Sequence, residues 1–231
     1  MKLYFLVEGV SSEMSAYPVW IKSILPMLDR YQEYDDFVTS NKGFYIISGY
    51  GYPSILNHIA DASSNIVEMN NVNHFFIILD ADEDSVEVRE QEVLKTIFEC
   101  DLPTNTEVHV IVQNRCFETI LLANRKVIPR QAKSEPLIAY KRYYDVINDD
   151  PEMMGQYDDE RFTHSQFHAE YAFKALREKR ISYSKSNPQS ICNEVYINEI
   201  IKRTRESEHI KSFKIFIDKL KYIKSTMDEL E

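Results

Sequence analysis

Glycine is scarce in this chain, five among 231 residues, so no long glycine-rich cradle for a phosphate can be built. None of Gly9, Gly43, Gly49, Gly51 or Gly155 opens a GxxxxGK[ST] run, which excludes a self-sufficient P-loop ATPase. Cysteine is equally sparse. Cys100, Cys116 and Cys192 are odd in number, far apart and without a CxxC, a pattern that argues against a disulfide scaffold or zinc ribbon and suits a reducing compartment. No basic stretch followed by an apolar core opens the sequence, and no run approaches the ~18 apolar residues of a membrane span, so a cytoplasmic protein with no membrane attachment is expected. Positive charge is the minority sign: 27 Lys and Arg face 37 Asp and Glu, for a net charge of −10. A passive nucleic-acid binder normally shows a basic footprint. Contact with nucleic acid would therefore need local basic patches or metal ions.

What is present is a repeated alternation of apolar runs and amphipathic stretches. KLYFLVE (2–8), GFYIISGYG (43–51), HFFIILD (74–80) and EVHVIVQ (107–113) read as buried strands bounded by turn residues. Between them, Ser11 and Ser12 offer N-caps for a first helix that Pro26 interrupts late. YPSILNHIADASSNIVEMN follows as a second helix, with Ile55, Ala60 and Ile66 expected on its inward side and Leu56 and Ala62 also apolar. SVEVREQEVLKTIFEC (85–100) follows as a third, with Val86, Val93, Leu94, Ile97 and Phe98 inward. Strand and helix in strict alternation predict an α/β domain with a mostly parallel sheet. Beyond residue 125 the pattern turns helical, punctuated by Pro129, Pro136, Pro151 and Pro188 and closing with FKIFIDKLKYIKSTMDEL. The expected division is an α/β domain over 1–125 and a helical region for substrate or partner over 126–231.

The strands end in acid. Glu8 follows the first, and Asp80, Asp82 and Asp84 follow the third in ILDADED. Ligands of open α/β sheets bind outside the carboxyl ends of the strands, and a cluster of carboxylates there repels itself unless a hard cation such as Mg²⁺ joins it. A carboxylate at a strand end can also do no more than favour the helix that follows. The alternate spacing of three acids, paired with Glu8-Gly9 after the first strand, favours the metal.

VEGVSSE followed some seventy residues later by LDADED resembles the Toprim domain, whose pattern is Glu-Gly after the first strand and DxD after a later one. NRCFETILLAN (114–124) resembles a further element of small OLD- and RloB-like Toprim proteins of phage-defence systems, although those groups carry Trp where this chain has Ile120. The resemblance covers residues 2–125. It implies a Toprim-like sheet and Mg²⁺- or Mn²⁺-dependent cleavage of a phosphodiester in DNA or RNA, tRNA included. Glu8, Asp80 and Asp82 would be catalytic and metal-binding, and Asp84 and Glu13 further metal ligands; separately, Glu118 directly follows the fourth strand, where it can point back into the site as a catalytic acid or serve as an N-terminal helix charge. The resemblance also leaves room for an ATPase on a separate chain and for a homo-oligomer.

Other features carry weaker chemistry. Arg115, Arg125 and Lys126 could stabilise phosphate charge. KRYY (141–144), REKRISYSKS (177–186) and IIKRTR (200–205) mix basic and aromatic residues as a nucleic-acid grip does, though charge runs are commonly solvated faces. His164 and His168 sit four apart as a metal pair would, with no third ligand nearby, so a polar helix face is the simpler reading. An alternative function from another class is a silent Toprim-like or receiver-like module that binds a protein partner. A receiver would want a Lys ending a fifth strand, and none is evident.

Overall fold

The computed structural model describes residues 1–229. Its elements are β1 (Lys2–Val7), α1 (Ser12–Ile24), β2 (Arg30–Tyr31), α2 (Tyr34–Thr39), β3 (Gly43–Ser48), α3 (Ser54–Met69), β4 (His74–Asp80), α4 (Val86–Phe98), β5 (Glu107–Gln113), α5 (Phe117–Leu121), α6 (Glu135–Tyr143), α7 (His164–Glu178), α8 (Glu194–Ser207) and α9 (Lys211–Asp228). Leu230 of the expected last helix lies outside the described residues. The five strands form one all-parallel sheet in the order β2-β3-β1-β4-β5. This is the α/β architecture with a helical C-terminal region that the alternation predicts.

β1 is central because it is apolar on both faces. Leu3, Phe5 and Val7 join one core with Phe44, Phe76, Ile111, α1 and the C-terminal helices. Tyr4 and Leu6 join the other, with Phe75, Ile77, Ile55 and Ile59. Such period-2 division requires helices on both sides. The chain runs from β1 to β3 on one side and then to β4 on the other. The direction of winding thus reverses beside β1, and a crevice opens at its carboxyl end.

Two expected faces need correction. Val93 is buried on α4, but Leu94 and Phe98 are 43% and 91% exposed. On α3 the buried set is Ile55, Ile59, Ala62, Ser63 and Ile66, with Ala60 turned outward. Pro26 falls after α1 rather than within it, and Pro18 lies inside. β2 escaped the sequence reading because two residues carry no periodicity.

The C-terminal helices are tied down by buried polar groups. Arg203 is 1% exposed and donates to the carbonyls of Leu122, Ala123 and Asp149, which anchors α8 at the end of α5. Glu152, in the turn over Pro151–Met153, accepts from the Ser212 amide at 3.2 Å and from its hydroxyl, fixing the first turn of α9. Burial pushes the Glu152 carboxyl up to about 7 from 4.5. A raised acid binds its proton more tightly folded than unfolded, so this contribution is complete below 4.5 and is lost as pH rises through about 7. Glu152→Gln, which keeps the acceptor, should flatten the fall in urea stability between about pH 5 and 7.5, by on the order of 1–3 kcal/mol. Parallel curves for the two proteins would show that Glu152 does not titrate with folding.

Candidate metal-binding acid cluster at the strand ends

The crevice is built from backbone first. The Glu8 amide continues the ladder to the Ile78 carbonyl at 3.0 Å, and its carboxylate turns across to accept from the Asp80 amide at 2.9 Å. Gly9 then makes room: a Cβ there would collide with the Glu13 carboxylate. Glu13, in the first turn of α1, folds back to accept from the Gly9 amide. Ser11 occupies the N-cap position without a side-chain cap bond. Glu13 supplies an acceptor in its place, in the manner of the second half of a capping box.

From β4 and β5 come Asp80 and Gln113. Asp80 Oδ2 accepts from the Phe117 amide at 3.2 Å, while Oδ1 is sealed from solvent with no hydrogen-bond partner. Gln113 donates to Glu13 at 3.2 Å, and its own Oε1 is likewise sealed and unpartnered. Glu118, 1% exposed on α5, accepts from the Tyr183 hydroxyl at 3.1 Å. The Lys185 ammonium lies 3.9 Å from it. Ser12 bonds both the Tyr183 hydroxyl and the Lys185 carbonyl, so the segment before α8 straps over the crevice. Together Glu8, Glu13, Asp80, Glu118, Ser12 and Lys185 line a cavity of about 280 Å³.

The rim is held in unusual backbone. Tyr50, Asp82 and Arg115 have φ of 58°, 51° and 83°, a region costly for residues with a side chain. Arg115 secures the acidic loop, its amide carbonyl accepting from Asp82 and its guanidinium donating to the Asp82 and Asp84 carbonyls at 2.9 Å each.

Electrostatically the cluster is frustrated. Burial pushes the Glu13 carboxyl up to about 8, with the Glu8 charge adding to it. Asp80 is held well above the usual carboxylate range by burial and then by Glu13 and Glu8. Glu8 and Asp82 are raised too, each chiefly by burial. Among the described residues no three of these acids bring oxygens within 4.8 Å of one another. The donors are all oxygen, one of them has no partner, and each carboxyl is destabilised as an anion. That set fits a hard divalent cation of the Mg²⁺ or Mn²⁺ kind.

The structure therefore brings together Glu8, Glu13, Asp80 and Glu118, with half-buried Asp82 above them. Asp84 does not join: it pairs with Arg89 at 2.6 Å, and Arg89 also holds Glu92 and stacks on Tyr52. Arg125 and Lys126 pair with Glu206 and Glu199 of α8. His164 and His168 both bond the Met154 carbonyl, at 2.7 and 2.9 Å, and His168 is fully buried against Thr119; their ring nitrogens serve packing. Gln113, Tyr183 and Lys185 escaped the sequence reading of the site. Only the basic-aromatic composition of 177–186 hinted at the last two.

Removing one like charge should relieve this strain. In Glu13→Gln, the new amide can donate to the unpartnered Gln113 Oε1 after that side chain turns over. The variant should melt above wild type in chelator, by about 2–4 °C for each kcal/mol relieved, and gain less from added Mg²⁺ or Mn²⁺. Equal melting in chelator would mean that burying Glu13 carries no penalty.

No protein-family model, no curated protein and no solved structure matches this chain.

Proposed function

We propose that the chain is a divalent-metal-dependent phosphodiesterase that hydrolyses DNA or RNA, a Toprim-like nuclease of the phage-defence kind. The observation that carries this reading is the convergence of Glu8, Glu13, Asp80 and Glu118 on one crevice, with Asp80 Oδ1 buried and unpartnered. Glu8, Asp80 and Asp82 would hold Mg²⁺ or Mn²⁺, with Glu13 behind them. When bound, the ion supplies charge stabilisation at a phosphoryl group and a water nucleophile at neutral pH.

The protein's own groups do the rest. Glu8 is fixed by the Asp80 amide and stands at the mouth of the crevice, placed to accept a proton from water. Gln113 orients Glu13. Tyr183 orients Glu118, and the Lys185 ammonium, 70% exposed, meets an incoming phosphate oxygen. The Arg115 bonds keep the Asp82 loop in its strained form. A bound divalent cation, with the Lys185 ammonium beside it, would offset locally the −10 net charge that otherwise repels a polyanion.

Mixed single- and double-stranded DNA and RNA should be cut in Mn²⁺ and left intact in chelator. Asp80→Asn should lower cleavage by at least about a hundredfold, the scale on which losing one group that stabilises transition-state charge acts. Cutting that survives both chelator and Asp80→Asn would overturn the assignment. Metal binding without cutting of any of these substrates would favour the silent partner-binding module.

A further inference from the structure

The entry end of the sheet carries a second cluster. β4 begins with His74 and β5 with Glu107, and the parallel register sets them opposite one another, with His109 opposite Phe76 two residues on. His74, Glu107 and His109 thus share a face. That face is the one α9 covers, where Phe76 meets Phe216. His74 Nδ1 lies 3.0 Å from His109 Nε2 and 3.5 Å from Glu107 Oε2. One ligand atom from each of the three falls within 4.8 Å of the others, which no other trio of His, Cys, Asp and Glu achieves among the described residues.

Geometry and chemistry agree. Two nitrogens bound to one tetrahedral zinc at ~2.05 Å stand about 3.4 Å apart, so a small ring movement converts the present 3.0 Å contact into a shared ion. The imidazoles are 8% and 3% exposed, and burial holds both below the ordinary histidine range, His109 at about 4. Glu107 is half exposed, and its other oxygen pairs with the exposed Lys219 of α9 at 3.4 Å, a contact that solvent can replace. Two His, one Glu and an open position form a known zinc ligand set.

We infer that His74, Glu107 and His109 form a transition-metal site that takes Zn²⁺, with water in the fourth position, and pins the entry ends of β4 and β5 beneath α9. The site is independent of the strand-end acids. Asp80 ends the strand that His74 begins, about 20 Å away at ~3.3 Å per residue.

Cobalt(II) titration followed by visible absorption tests it, with the melting temperature read alongside. Wild type and Asp80→Asn should both take up a single equivalent of Co²⁺ with the intense bands of a tetrahedral ion, and Zn²⁺ should displace it and raise the melting temperature. Glu107→Gln, at a half-exposed position, should fold normally and bind at least about a hundredfold more weakly, beyond what losing an outer-shell partner costs. His109→Gln, checked for a cooperative melt, should lose the bands. Absence of tetrahedral bands in wild type would overturn the site. So would unchanged affinity in Glu107→Gln, or loss of the bands in Asp80→Asn alone.

Discussion

The burial of like charge at the carboxyl end of β1 and β4 is the constraint on which the rest of this molecule depends. Glu13 is 4% exposed and Glu118 1%, and Asp80 keeps one oxygen sealed without a partner. An unpaired carboxylate costs several kcal/mol to bury; the buried Arg89 guanidinium acts on Glu8 and Asp82 at the rim, while the Lys185 ammonium near Glu118 is largely in solvent. The fold instead holds Glu13, Glu8 and Asp80 with backbone amides from Gly9, Asp80 and Phe117, and burial raises all three carboxyl groups above the usual carboxylate range. That arrangement stores a demand for external positive charge.

Several features follow from holding the acids there. Gly9 is glycine because Glu13 passes through the space a side chain would fill. Asp82, Arg115 and Tyr50, in the loops that follow β4, β5 and β3, adopt left-handed backbone, and the Asp82 amide and carbonyl are both bonded to Arg115. Arg115 directs its guanidinium to two carbonyls of the acidic loop rather than to an acid, while Glu83 of that loop accepts from the His164 and Ser165 amides and Asp84 pairs with Arg89. The C-terminal region belongs to the same construction. It supplies Tyr183 and Lys185 to the crevice, and its helices bury Phe213, Phe216 and Tyr171 in the core that also holds Phe5 and Phe76.

Much of this was legible in the sequence, for physical reasons that can be named. β1 and β4 are buried on both faces, so their apolar runs are continuous and their ends are marked by the first acid. Glu8, Asp80 and Asp82 were visible for that reason, and Glu118 because it follows β5 within a few residues. Tyr183 and Lys185 were not, since they reach Glu118 across 65 and 67 positions and sit in a segment with no periodic pattern. Asp84 is equivalent to Asp82 by spacing alone, but Arg89 captures it. Phe98 and Leu94 read as inward because they are apolar, whereas the buried side chains of α4 are Val93 and Arg89, the latter held by Asp84 and Glu92. The His74, Glu107 and His109 grouping depends on the register of two strands thirty-odd residues apart, which single-residue patterns do not encode.

Diffraction from crystals soaked in Mn²⁺, recorded at the manganese absorption edge, tests the central claim most directly, because it locates the ion without reference to any substrate. Anomalous density is expected between Glu8, Asp80 and Asp82, with Asp80 Oδ1 turned onto it, and none there in Glu8→Gln/Asp80→Asn crystals. An empty crevice in Mn²⁺-soaked wild-type crystals, with the carboxylates still held by the Gly9, Asp80 and Phe117 amides, would contradict it.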